Sequence, residues 1–306
     1  MTTPSILELC IPMARKMSFK DLLKKPLILF GGAYGVDSFV MFEGDILVHQ
    51  QHDTWGKVLV VDHDGQRVLS FDSLYEQSRM DLHHPNKLVH DYTRAMLLGL
   101  ALGEPAHVTV FGLGGGCLVR AAHSINPELH IQAVELRAAV AGIAQDYFGI
   151  PVSERIAIEV ADGRDYIVEQ PSASTDLIFA DMYHAIRADP FQMQQKFFHE
   201  SRRVLSPDGW LVINCHELPP ADSFFFRSLK QYFKALLVCT VPGGNYVFYA
   251  GKSGLNRPQA RFEADIATFE VKNAYPVGFS VGKFRTCPLI RRKCRTIGGN
   301  ARTVME

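Results

Sequence analysis

The sequence predicts an α/β protein: a doubly wound, mostly parallel sheet, roughly residues 87–251, preceded by a small antiparallel β domain. Three observations predict it. Short β-rich runs broken by glycine turns fill residues 26–80. From Leu88 onward, helix-like and strand-like patterns alternate with short links. Four successive strand-like runs end in glycine or an acid, and ligands of such sheets sit beyond those ends.

The elements follow in order. Residues 1–25 carry Ile6, Leu7, Leu9, Phe19, Leu22 and Leu23 at spacings compatible with helical faces, ahead of Pro26, and bring no chemistry. Runs at 39–42, 45–49, 57–61 and 67–71 read as strands, and Asp64-Gly65 marks a hairpin within 58–71. Residues 88–100 have helical spacing. A buried strand at 107–111 leads into the glycine loop 112–116 and a helix start at 118–123. A second strand at 131–135 ends in Glu135 and precedes a helix at 138–148. The third, 156–160, runs to Asp162-Gly163; the fourth, 176–180, ends at Asp181. A helix at 191–205 and a turn at 206–209 lead to a strand at 210–215, followed by a helix at 224–237. Strands at 237–241 and 246–250 flank Pro242-Gly-Gly-Asn245 and read as an antiparallel hairpin at a sheet edge, the mark of the Rossmann-like, methyltransferase-type sheet. The expected organisation is 1–85, N-terminal segment and β domain; 86–254, nucleoside-binding catalytic domain; 255–306, C-terminal extension. In that extension 261–269 reads as helix. Residues 283–306 hold seven Lys or Arg against the single acid Glu306, the pattern of a solvated tail or of a contact with an anionic partner or second subunit.

Bulk properties narrow the function classes. The 306 residues are 47% hydrophobic and 21% charged, enough for a real core. The net charge is zero, so no global field draws the chain to nucleic acid or membrane, and neither is expected as a partner. No run reaches the roughly 18 apolar residues of a membrane span, and Pro12, Arg15 and Lys16 spoil a signal-peptide reading; the expected compartment is the cytoplasm. The six cysteines show no C-x-x-C and there is no H-E-x-x-H, so no metal is expected.

The chemistry lies at the strand ends. Gly112, Gly114 and Gly115 let backbone approach a ligand closely. A dinucleotide fingerprint needs glycine at 117, where this chain has Cys117. Glu135, 23 residues after Gly112, can accept both ribose hydroxyls. Asp162, followed by Gly163, can accept an adenine amino group, which tilts the reading from a dinucleotide to an adenosyl sulfonium; its alternative is a helix N-cap. Asp181 falls where the sulfonium should lie. There it can orient an amine nucleophile and take its proton.

These motifs resemble the spermidine synthase (polyamine aminopropyltransferase) family over most of residues 45–250. The resemblance rests on Gly112-Leu-Gly-Gly-Gly-Cys-Leu-Val-Arg120, Val134-Glu-Leu136, Ala161-Asp-Gly-Arg164, Asp176-Leu-Ile-Phe-Ala-Asp181 and Ser206-Pro-Asp-Gly209. It implies transfer of an aminopropyl group from decarboxylated S-adenosylmethionine to a polyamine acceptor. Glu135 would then hold ribose, Asp162 adenine, and Asp181 would be the catalytic acid. Gln77 and Tyr92 would fall near the family's substrate-binding Gln and Tyr, with His184 also on the substrate side. The family forms dimers or tetramers through its β domain, so a homo-oligomer is implied.

The departures are specific. The family's Gly-Gly-Gly-Asp-Gly-Gly grips the aminopropyl ammonium with its Asp, where this chain has Gly115. The second acid of Asp-Ser-Ser-Asp is His184, and the Tyr-His-Glu stretch becomes Tyr92-Thr-Arg94. Asp53, Asp72 and Glu76 are the candidate substitutes. Two alternatives stay open. One is a methyltransferase using S-adenosylmethionine itself, with Arg94 or Arg120 meeting its carboxylate. The other is a non-catalytic homologue that binds nucleoside or a partner.

Overall fold

The computed structural model describes residues 27–30, 39–42, 44–71, 76–184, 187–242, 244–254, 264, 267–269 and 284–286. The expected N-terminal helical faces, Asp72 and most of the basic tail lie outside the described residues.

β1 (Leu27–Phe30) and β2 (Phe39–Phe42) form an antiparallel pair. β3 (Ile46–Asp53), β4 (Gly56–His63), β5 (Gln66–Ser70) and β6 (Glu76–Asp81) form an antiparallel meander in sequence order. The β4–β5 turn has Asp64 at φ 47° and Gly65 at φ 71°, the left-handed pair that a tight hairpin needs. The strand β6 has no apolar run to betray it. Its sequence alternates, and only Ser78 and Met80 are buried.

The second sheet has eight strands in the order β16-β14-β15-β13-β10-β7-β8-β9. Five are parallel: β7 (His107–Phe111), β8 (His130–Glu135), β9 (Ile156–Val160), β10 (Thr175–Ala180) and β13 (Leu205–Cys215). β15 (Tyr246–Gly251) runs antiparallel between β13 and β14 (Ala235–Thr240), so the final hairpin is inserted with its second strand inward. β16 (Phe284–Thr286) adds to β14, so part of the segment read as a solvated tail extends the sheet.

Strand alternation divides two helical layers. Leu177 and Phe179 of β10 join one cluster with Met96 of α1 (Asp91–Leu97), Leu118 of α2 (Cys117–Ile125) and Ala144 of α3 (Ala138–Tyr147). Ile178 and Ala180 face the other way, onto Ile167 of α4 (Gly163–Glu169), Phe197 of α5 (Gln195–Val204) and Phe226 of α6 (Phe224–Tyr232). That is the doubly wound architecture. The helix expected to run to 237 stops at Tyr232, because Phe233 turns extended. Residues 235–237 are apolar as part of a buried strand, a pattern that periodicity alone cannot separate from helix.

The small meander is docked on α3. Val58, Val60, Leu69 and Met80 pack against Val140, Ile143 and Phe148. Among the described residues no helix is long and apolar enough to cross a membrane.

Candidate active site

The parallel registers bring the key residues to one level. Phe111, Ala180 and Ile213 pair across β7, β10 and β13, and Phe111 also pairs with Val134 on β8. One residue further stand Glu135, Gly112, Asp181 and Asn214, a row across the carboxyl ends of four adjacent strands. Asp162 lies two residues beyond Val160, the partner of Glu135.

Gly112 has φ 87°, and a side chain there would collide with the Asp181 carbonyl oxygen. Glycine is therefore required for the loop to cross so close to the Asp181 backbone. Glu135 is buried and shapes the same loop. Its carboxylate accepts the backbone N–H of Leu113 and of Arg137, each at 3.0 Å. Burial raises its pKa, and N–H donors from Arg137, Leu113 and Gly114 hold that rise in check. Arg137 is 7% exposed and donates to both oxygens of Asp53, at 2.9 and 2.7 Å, and to the Gly56 carbonyl. The tip of the β3–β4 hairpin is thereby tied beside Glu135.

Asp181 is partly buried. Its Oδ1 accepts Asn214 Nδ2 at 2.8 Å, and Tyr92 also hydrogen-bonds to it. Burial pushes its pKa up to about 6, against the Asn214 and Tyr92 hydrogen bonds and the His90 charge, which pull it down. Behind Tyr92, His90 stacks on its ring and pairs through Nε2 with Glu76 at 2.7 Å. Glu76 is held near 2: burial raises it, but the hydrogen bonds and charges of Arg79 and His90 outweigh that.

The remaining expected residues are placed as follows. The Gln77 carbonyl lies against Gly114. Gly163 sits between Phe111 and Met182. Asp162 caps α4 through the Arg164 N–H at 2.9 Å and pairs with the Arg164 guanidinium, which also grips both oxygens of Asp189. The N-cap alternative is thus realised, and Asp162 keeps its place on the rim. His184 belongs to a two-residue strand, β11 (Tyr183–His184), paired with β12 (Arg187–Ala188); its side chain is outside the described set.

Two expectations are corrected. Arg94 donates to the Leu88 and Val89 carbonyls, and Arg120 to those of Pro85 and Phe148, so neither is poised for a ligand carboxylate. Both spend their guanidinium donors on backbone carbonyls. Of the candidate substitute acids, Asp53 is held by Arg137 and Glu76 by Arg79 and His90.

Sequence reasoning missed Asn214, Asn245, Tyr183, Ser78 and Phe148. Ser78 and Phe148 fill the space beside Gly115, where a Cβ would stand 2.8 Å from both. An asparagine inside the apolar run Trp210–Cys215 was the available signal, because a buried amide demands partners.

No protein-family model matches the chain. It is 35% identical over 151 residues to a polyamine aminopropyltransferase of Neisseria meningitidis, 48% of this chain and 57% of that protein, so the match spans little more than half of that relative. It is 34% identical over 185 residues to a polyamine aminopropyltransferase of Chromobacterium violaceum, 60% of this chain and 70% of that protein. The human eEF1A lysine and N-terminal methyltransferase is 29% identical over 174 residues, 50% of this chain and 25% of that protein. Among solved structures, a probable spermidine synthase from Corynebacterium glutamicum shares the fold at TM-score 0.66 and 18% identity, covering 85% of this chain and 99% of that one. Human methyltransferase-like protein 13 in complex with SAH superposes at TM-score 0.52 and 25% identity, covering 60% and 91%. These relatives are transferases, and with 34% identity over a stretch that covers 70% of the Chromobacterium protein, this chain belongs to the polyamine aminopropyltransferase family as a divergent, spermidine-synthase-like member.

Proposed function

We propose that the chain transfers an aminopropyl group from decarboxylated S-adenosylmethionine to a polyamine amine, with Asp181 orienting and deprotonating the acceptor. The observation that supports it is the Asp181 carboxylate itself. It stands at the end of β10 against the glycine loop, is bonded by neutral donors, and has a pKa of about 6. An amine attacks as the free base. With a pKa of about 10.4, that base form costs roughly 4 kcal/mol near pH 7.4. A carboxylate that accepts the proton offsets part of this cost, and a base near pKa 6 is ionised yet still basic at neutral pH. The nitrogen lone pair forms the new C–N bond. The C–S bond breaks with its electron pair returning to sulfur, the thioether nucleoside leaves, and the amine proton passes to Asp181. On the donor side, Glu135 takes the ribose hydroxyls with the acceptor capacity its backbone N–H bonds leave, Asp162 takes the adenine amino group, and Gly112, Gly114 and Gly163 give the close backbone approach. Gln77, Tyr92 and His184 belong to the acceptor side. The reaction requires no metal.

One observation favours a second reading, methyl transfer from S-adenosylmethionine. Gly115 carries no acid for an aminopropyl ammonium, and the space beside it is filled by Phe148 and Ser78. The similar human proteins are methyltransferases by name.

Thermal shifts with decarboxylated S-adenosylmethionine, S-adenosylmethionine and methylthioadenosine, followed by assays with putrescine and spermidine, separate the readings. Preference for the decarboxylated donor with aminopropyl transfer is the expected result. Preference for the carboxylated donor moves the assignment to methyl transfer. No shift with any nucleoside overturns both.

A further inference from the structure

We infer that Asn214, held by Asn245, is a positioning residue for Asp181: the amide pair fixes the carboxylate through its Oδ1. The inference rests on the reading of Asp181 as the proton acceptor.

Asn214 is fully buried near the end of β13, level with Asp181 by the strand register. Each of its side-chain polar atoms is engaged. Nδ2 donates to Asp181 Oδ1 at 2.8 Å, and Oδ1 accepts Asn245 Nδ2 at 2.9 Å. Its backbone carbonyl accepts the Tyr183 hydroxyl at 2.9 Å and Gln192 Nε2 at 3.3 Å. Gln192 in turn accepts the Met182 N–H at 2.9 Å. One residue thereby ties the carboxylate to the backbone of the segment that follows it.

The direction of the amide matters most. An asparagine side chain can rotate by half a turn and exchange its donor and acceptor ends. Turned the other way, Asn214 would set a carbonyl against a carboxylate. Asn245 prevents this by donating to the oxygen end. It is itself buried, just ahead of β15, where its backbone carbonyl accepts the Val241 N–H at 2.8 Å. The chain Asn245 to Asn214 to Asp181 therefore runs with one polarity across three strand ends.

No neighbouring titratable group duplicates this. Tyr92 on α1 and Tyr183 on β11 are pushed up by burial and by the Asp181 charge, so both stay neutral. Cys215 on β13 is pushed up to about 12, again by burial and then by Asp181. His90 lies beyond Tyr92 and pairs with Glu76. Asn214 and Tyr92 are the neutral donors on Asp181, and a hydrogen bond to the ionised form lowers its pKa.

The test is the titration of Asp181 by carboxyl carbon-13 NMR on aspartate-labelled protein, the resonance assigned by its loss in Asp181→Asn. Asn214→Leu keeps the volume and deletes the donor. Its expected midpoint is higher than wild type by about one unit. Asn245→Leu frees the amide to turn and is expected to raise the midpoint by about half a unit. In both variants kcat is expected to fall about tenfold with the nucleoside KM unchanged, as suits a misaligned base, and the acid limb of kcat is expected to move with the midpoint. A midpoint within about 0.2 of a unit of wild type in folded Asn214→Leu overturns the inference. If that variant does not fold, the same null result in Asn245→Leu overturns it. A shifted midpoint with no acid limb in the activity profile sinks instead the reading of Asp181 as proton acceptor, and leaves the positioning intact.

Discussion

Restoring the family's acid by Gly115→Asp is expected to damage this chain and not to improve its grip on a decarboxylated donor. A Cβ at 115 would stand 2.8 Å from Phe148 Cδ1 and 2.8 Å from Ser78 Oγ. Neither neighbour has room to retreat. Phe148 is fully buried among Val58, Val60, Leu69 and Ile143, and Ser78 is bonded to Cys117 at 3.2 Å. Overpacking of this kind costs about 1–3 kcal/mol. A buried carboxylate without a cationic partner adds roughly as much again or more. The total, about 3–5 kcal/mol, is a large share of a typical folding free energy and corresponds to a melting temperature lower by about 6–15 °C. Gly115→Ala meets the steric part alone and should lose about half of that. Thermal denaturation of both variants, with calorimetric titration of the two donors, makes the check. Unchanged melting in Gly115→Asp, together with tighter binding of the decarboxylated donor, would show that position 115 opens onto the donor site and would refute the reasoning.

Asp181→Asn should abolish turnover while leaving nucleoside affinity within a few-fold, measured by single-turnover kinetics and titration; intact turnover removes the proposed role. The same variant should be more stable than wild type by about 2–3 kcal/mol at pH 7.5 and within about 1 kcal/mol of it at pH 4, by denaturant unfolding. The sign follows from a folded pKa raised from 3.8 to about 6: the protonated form fits the site better, and that stability is lost as pH rises through about 6. For the same reason kcat should climb with pH to a plateau above about 6, and a profile flat from pH 5 to 8 contradicts Asp181 as base. Asp53→Asn leaves the buried Arg137 guanidinium without its counter-ion and should cost about 3–5 kcal/mol in urea unfolding, with weaker nucleoside binding because Arg137 also donates its N–H to Glu135.

Much of this site was legible because it depends on spacing along single strands. The end of each buried run fixes which residue reaches the rim, and parallel in-register pairing then aligns Glu135, Gly112 and Asp181. The hairpin turn at Asp64-Gly65 was legible for a similarly local reason, since few residue pairs accept two left-handed conformations. Asn214 and Asn245 were not legible. Their pairing is set by β15 lying between β13 and β14, and sequence order gives no sign that the second strand of the hairpin goes inward. The roles of Arg94 and Arg120 were misread for a related reason. A guanidinium near a ligand loop is indistinguishable in sequence from one that binds backbone carbonyls, until the chain closes around it.

The acids raise the same difficulty in a form that bears on the substrate. By residue type the rim looks rich in carboxylates, which suggests a site for multiply charged amines. In three dimensions Asp162 and Asp189 share Arg164, Asp53 faces Arg137, and Glu76 faces Arg79 and His90. Each of these pairs has nearly discharged its field before any ligand arrives. Asp181 differs, because the hydrogen-bond donors on it, Asn214 and Tyr92, are neutral. At an effective dielectric of about 20, a charge pair 4 Å apart is worth roughly 4 kcal/mol; Glu135 spends both oxygens on backbone N–H donors, whereas Asp181 is met by the neutral side chains of Asn214 and Tyr92. On the proposed function, recognition of an acceptor amine therefore concentrates on a single carboxylate. Its strength should depend on how Asn214 and Tyr92 hold that carboxylate more than on how many acids surround it.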